Sequence, residues 1–217
     1  MRELPIEIFS RILGGGFFFG YVVYHVLQRV NKYQQLPQGF TFSNWMNWSL
    51  IMVLFLLFGV SYVIRRTPIA AASRPREIFL PLLCAIMPLG INESVRWIKP
   101  YNIGAWNDIA PFFILFGDCL MVLSMVYLKN SFSILTEVRN FVRSGPYRWV
   151  RHPLYVGEIT ATIGFCIFLF SWVNVFLTLA FIVCLWLRAS FEEAKITPIF
   201  PEYAEYKKTT GMFFPKF

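Results

Sequence analysis

Residues 154–188 read LYVGEITATIGFCIFLFSWVNVFLTLAFIVCLWLR. Apart from Glu158 and the closing Arg188 the stretch carries no charge. A helix needs ~20 apolar residues to cross hydrocarbon, so the stretch holds one crossing and most of a second. Ser171-Trp172, with Asn174 just beyond, is its polar break. Two antiparallel helices over 154–170 and 173–189 are expected, joined by a tight turn. The first is short for a full crossing. Such a hairpin returns its two ends to one side of the membrane, so the polar segments flanking it lie side by side.

Working outward, four more apolar runs precede the hairpin, at 9–28, 45–64, 78–96 and 109–129. The fold class is therefore all-α: a polytopic membrane protein of about six transmembrane helices with a tight C-terminal helical hairpin. Composition agrees. The 217 residues are 57% hydrophobic and include 24 phenylalanines, more apolar surface than a soluble domain of this length hides. The chain divides into 1–108, three N-terminal spans, and 109–217, a core with a polar loop and tail. The opening MRELPIEIFSR shows no cleavable signal pattern. Gly16 and Gly20 form a GxxxG in the first span, whose default meaning is close helix packing.

Charge sets the orientation. Of the 20 lysines and arginines, only Arg29, Lys32, Arg96 and Lys99 fall on the side opposite the N-terminus. The positive-inside rule then places both termini, the loop before the hairpin and the C-terminal tail in the cytosol. The net charge of +8 is assigned to topology and anionic headgroups; no nucleic-acid partner is expected. Cys84, Cys119, Cys166 and Cys184 lie in apolar runs without metal-ligand spacing and read as reduced packing residues.

Ionisable groups at membrane depth are costly and are functional candidates by default. His25 reads as a hydrogen bond between helices or at the outer interface. Asp118 reads as a buried polar clasp or a cavity wall. Glu158 reads as the holder of an arginine from the preceding loop. Glu93 and Arg96, at i,i+3, read as a self-neutralising pair.

The segments RNFVRSGPYRWVRHPLYVGE (139–158) and LRASFEEAKITPIFPEYAEYKKTTGMFFPKF (187–217) bracket the hairpin. They offer aromatic faces, a histidine, arginines and the Glu192-Glu193 pair. Neither common glycine-rich phosphate loop is present, nor a Ser-His-Asp layout, nor a His/Cys metal cluster. Aromatic rings attract a sulfonium, carboxylates suit hydroxyls or an ammonium, and arginine suits a carboxylate. That set fits S-adenosylmethionine facing an anionic acceptor. It fits equally an amphipathic tail with interfacial aromatics and lipid-binding arginines.

GPYRWVRHPLYVG (145–157), the Glu-Glu pair about 35 residues on, and FPEYAEYKKTTGMFFP (200–215) together resemble the isoprenylcysteine carboxyl methyltransferase family, within the wider group that includes phospholipid methyltransferases. The resemblance covers roughly 115–217. It implies a cofactor pocket for S-adenosylmethionine built from Arg139, Asn140, Phe141, Val142, Tyr147, His152, Pro153, Leu154, Tyr155 and Glu192. A His-Thr pair common in eukaryotic members reads Arg139-Asn140 here. The resemblance also implies that Arg188 handles the substrate as the catalytic residue; it stands four residues before Glu192, on the same helix face. No metal is implied. The implied partner is a lipid or prenylated acceptor entering from the bilayer, with carboxylate, phospholipid amine or small thiol as the acceptor group. A sterol-type reductase using NADPH and a non-catalytic membrane scaffold are the rival classes.

Overall fold

The computed structural model describes residues 4–33, 42–94, 97–101 and 103–216. Among these it is helical, with no strand. The helices are α1 (Leu4–Tyr33), α2 (Phe42–Ile64), α3 (Pro75–Ser94), α4 (Trp106–Leu128), α5 (Pro153–Phe168), α6 (Trp172–Ile196) and α7 (Glu202–Thr209). Two 3-10 turns, Lys129–Ser131 and Gly145–Arg148, lie in the α4–α5 connection. The stretches Asp108–Ser131 and Trp172–Ile196 are long and apolar enough to cross a membrane; α5 and the stretch Trp48–Ile64 are apolar but shorter.

The hairpin forms where the polar break stands. α5 ends at Phe168 and Ser171 caps α6, its hydroxyl accepting the Asn174 N–H at 3.2 Å. Asn174 fixes the turn from both sides: Nδ2 donates to the Leu169 carbonyl at 2.6 Å, and Oδ1 accepts the Ser94 hydroxyl of α3 at 2.7 Å. A buried amide bonded at both its nitrogen and its oxygen specifies its neighbours tightly.

Glycines set how closely the helices approach. Gly117 of α4 sits on the backbone of α5, where a Cβ would lie 2.6 Å from Ala161 N and Gly157 O. Gly157 and Gly164 of α5 have the same relation to Met121 and Ile114 of α4. The pairing of 117 with 157 and 114 with 164 runs the two helices antiparallel. In α1 the packing glycines are Gly14, under the Tyr62 ring, and Gly15, against Val63 and Gly59 of α2. Gly16 and Gly20 have nothing within 4 Å, which corrects the GxxxG expectation: the contact face is one residue round the helix.

Large apolar side chains face outward from the bundle. Phe9, Phe17, Phe79, Phe112, Phe116, Trp172 and Phe176 are all more than 60% exposed, a band that water-facing surfaces do not carry. The four cysteines are free; Cys84 and Cys166 are buried, but Cys119 is exposed on this outer face. His25 packs against two rings of its own helix, tilted against Tyr21 and edge-on to Tyr24. Arg96 and the side chain of Glu93, expected to pair, lie outside the described residues.

At the mouth of the hairpin, Glu77 at the start of α3 joins three segments. It accepts Lys195 Nζ of α6 at 2.7 Å and the N–H of Ser73 at 2.9 Å. Lys195 also donates to the carbonyls of Ala71 and Thr136. Burial alone would raise the Glu77 carboxyl, but the Lys195 ammonium and the N–H groups of Ser73 and Arg74 outweigh it and hold it at about 2.

Candidate functional site

His152 and Pro153 open α5, with Pro153 at the first helical position, where its missing N–H costs nothing. One turn later Tyr155 points across to α6. There Arg188 and Glu192 share a face at i,i+4, Nε donating to Oε1 at 3.1 Å. The Tyr155 hydroxyl donates to the same Oε1 at 2.6 Å. The Arg188 guanidinium lies over the Tyr155 ring, 5.0 Å from its centroid. The His152 ring stacks on that tyrosine as well, 5.3 Å away and 6° from parallel. A third Arg188 contact fixes the fork: Nη2 donates to the Ile134 carbonyl at 2.7 Å. That leaves Nη1 without a hydrogen bond among the described residues.

These groups line the polar end of a cavity of about 710 Å³. Of the residues singled out from sequence, Arg139, Asn140, Phe141, Val142, Tyr147, His152, Leu154, Tyr155, Arg188 and Glu192 border it. Pro153 does not; it is buried in the helix start behind them. Arg139 is held firmly, donating to Glu137 Oε2 at 2.6 Å and to the Arg66 carbonyl. The other end of the cavity is apolar and reaches the N-terminal helices through Phe18, Leu54, Phe55, Phe58 and Leu89.

The C-terminal tail closes one side. Arg151 N–H donates to Gly211 O at 2.8 Å and His152 N–H to Met212 O at 3.1 Å. Glu193 is the hub of this closure and is 3% exposed. Its carboxylate meets Arg151 Nε at 2.6 Å, Lys207 Nζ at 3.0 Å and His152 Nε2 at 3.1 Å. The sequence favours Glu192 of the pair and gives a loop arginine to Glu158. Instead Glu193 holds Arg151, and Glu158 makes no hydrogen bond to a described residue. Adjacent helical residues point about 100° apart, so the two glutamates serve different neighbours. The Tyr206 hydroxyl donates to the Tyr147 carbonyl, and Phe141 packs edge-on against Tyr203 and Tyr206. Burial pushes the Tyr206 hydroxyl up to about 12 and likewise raises that of Tyr147, so both stay protonated at neutral pH.

Comparison with known proteins falls on the same helices. A sequence model of the isoprenylcysteine carboxyl methyltransferase (ICMT) family matches residues 109–198. The cobalt-zinc-cadmium resistance protein CzcN of Cupriavidus metallidurans is 38% identical over 153 residues, 59% of this chain and 71% of that protein. The chain belongs to the isoprenylcysteine carboxyl methyltransferase family. The human and rat protein-S-isoprenylcysteine O-methyltransferases are each 29% identical over 136 residues, 57% of this chain. The alignment spans 47% of those enzymes, about half their length. The stretch matched by the ICMT model contains α4, α5 and α6, and so Tyr155, Arg188 and Glu192. Among the described residues no three His, Cys, Asp or Glu side chains gather as a metal site would need.

Proposed function

We propose that this chain is an integral membrane methyltransferase that uses S-adenosylmethionine to methylate the carboxylate of a lipidic acceptor, of which S-isoprenylcysteine is the type. The observation that carries the reading is the two-ended cavity. Arginine, carboxylate and aromatic rings meet at one end, and a limb of phenylalanine and leucine leads away from them. At about 710 Å³ it is in the range of small-molecule sites. The named activity of the human and rat relatives supports the same reading.

The polar end suits the cofactor. Among the described residues Glu192 Oε2 has only His152 Nδ1 near it, at 3.9 Å, and is open to a hydroxyl or ammonium. Tyr147, His152 and Tyr155 supply ring faces that stabilise a cation, and Phe141 with Asn140 and Val142 walls the adjoining side. When bound, S-adenosylmethionine supplies a methyl group on a sulfonium; the acceptor oxygen–carbon bond forms as the carbon–sulfur bond breaks, and its electron pair stays on sulfur. A carboxylate acceptor needs no general base. Arg188 orients it through the free Nη1, while the bond to Glu192 keeps the guanidinium fixed on Tyr155. The tail strapped by Glu193 keeps water out, which strengthens each of these contacts.

In this reading all six long helices, α1 to α6, cross or enter the bilayer. α5, with 16 residues, rises about 24 Å and falls short of the full hydrocarbon thickness. Both termini and the cofactor end face the cytosol. Residues 109–217 hold the cofactor and 1–108 complete the acceptor limb, so the acceptor enters from the bilayer between helices. The test is transfer of labelled methyl from S-adenosylmethionine to prenylated carboxylic acids by detergent-purified protein. Arg188→Ala and Glu192→Ala should each abolish it; retained transfer in both overturns the assignment.

A further inference from the structure

Arg188 has one of its anchors outside α6, where Nη2 donates to the Ile134 carbonyl at 2.7 Å. Ile134 belongs to no helix or strand. It lies in a bend between the 3-10 turn Lys129–Ser131 and Val138, so no regular ladder sets where its carbonyl points. The ends of the stretch are tied by backbone bonds to the α2–α3 connection. Asn130 O accepts the Arg66 N–H at 3.0 Å, and Val138 exchanges bonds of 2.9 and 3.2 Å with Ala70. The bend itself is closed by a side chain. Glu137 Oε2 accepts the Ser133 hydroxyl at 2.7 Å and Arg139 Nη2 at 2.6 Å. Ser133 and Glu137 thus bracket Ile134, and Arg139 secures the bracket to the Arg66 carbonyl.

The Glu137 side chain is 12% exposed and that of Arg139 is 0%. An ion pair so deeply buried adds little stability over apolar side chains of the same volume; what it can add is one defined geometry. Resting on the methyltransferase reading above, we propose that Glu137 is a positioning residue for Arg188. By closing the bend it aims the Ile134 carbonyl, and that carbonyl sets the plane of the guanidinium. The two supports of Arg188 come from different places. Glu192 lies on the same helix and takes Nε–H; one such bond leaves the fork free to turn about it. The Ile134 carbonyl takes Nη2 from a second direction and removes that freedom, so Nη1 points at the acceptor. Glu137 acts on the reaction through a backbone carbonyl, without touching Arg188. The N-terminal half enters the chemistry by the same route, because Arg66 and Ala70 hold the ends of the bend.

The test is steady-state methyl transfer and S-adenosylhomocysteine titration with detergent-purified full-length variants. In Glu137→Ala, kcat should fall by about tenfold or more, the effect of losing a hydrogen bond to a charged group, while S-adenosylhomocysteine affinity stays unchanged. Glu137→Gln keeps an acceptor oxygen in the bracket and should restore most of the rate. In an Arg188→Lys background, which lacks the fork, Glu137→Ala should have no further effect, because residues that act through one another are not additive. Should Glu137→Ala fail to fold, Ser133→Ala removes only one hydroxyl from the bracket. It should lower kcat in the same sense and lose that effect in Arg188→Lys. Unchanged kcat in these variants, or their full loss repeated in the Arg188→Lys background, overturns the inference and leaves the methyltransferase reading standing. Loss of S-adenosylhomocysteine binding in Glu137→Ala makes the residue a contact of the methyl donor and likewise overturns it. Absence of methyl transfer by the unaltered protein overturns both.

Discussion

Tyr155 donates its hydroxyl to Oε1 of Glu192 at 2.6 Å, joining the first turn of α5 to the C-terminal end of α6. The same oxygen accepts Arg188 Nε–H, so the tyrosine orients the arginine through the glutamate. Tyr155→Phe keeps the ring under the guanidinium and removes only the donor. It should lower methyl transfer about tenfold, the usual effect of one hydrogen bond to a charged group, with the fold unchanged by circular dichroism.

Arg188→Lys keeps the charge but not the planar fork that spans Glu192 and the Ile134 carbonyl. Steady-state kinetics should show kcat reduced about a hundredfold, as when a group orienting the reacting atom is displaced. S-adenosylhomocysteine binding should be little changed, because Glu192 and the aromatic rings remain.

Glu193 meets two cations and a histidine while almost fully buried. Removing one partner of such a group costs about 3 kcal/mol or more. Glu193→Gln should therefore release the tail, seen as faster hydrogen exchange over residues 203–212 and quicker tryptic cleavage at Lys207 and Lys208. Glu202→Gln, at an exposed position, should leave both rates unchanged.

The Glu77 carboxyl is held at about 2, against 4.5 for a free glutamate. A depressed folded value means the stabilisation is complete above pH 4.5 and is lost as pH falls from there toward 2. Lys195→Met removes the largest favourable partner. The variant should lose stability at neutral pH and show a smaller further loss between pH 4.5 and 2 in thermal melts.

How far the sequence could be read depended on what each signal encodes. The 154–188 stretch yielded the hairpin because an apolar run broken by Ser171 and Asn174 has one economical folding. Hydropathy windows undercut the helix ends: the first apolar run spans 9–28, while α1 runs Leu4–Tyr33, since backbone hydrogen bonding continues through polar turns. Gly16 and Gly20 were misplaced because the four-residue spacing names a face without naming its neighbour, and Gly14 and Gly15 take that contact. The glutamate pair was visible, but only three-dimensional packing separates Glu192, which faces Tyr155, from Glu193, which faces Arg151. The resemblance at 145–157 and 192–215 located the polar end of the cavity. Asp118, one of whose two readings was a cavity wall, does border that space, but nothing in the pattern announced that Phe18 and Leu54 border it too.

The most direct test of the central claim is calorimetric titration of the detergent-purified full chain with S-adenosylhomocysteine, with NADPH as the comparison. The cavity described here predicts micromolar binding of S-adenosylhomocysteine, lost in Glu192→Ala, and no heat from NADPH. Absence of binding, or binding of NADPH in its place, would contradict the assignment of this cavity to a methyl donor.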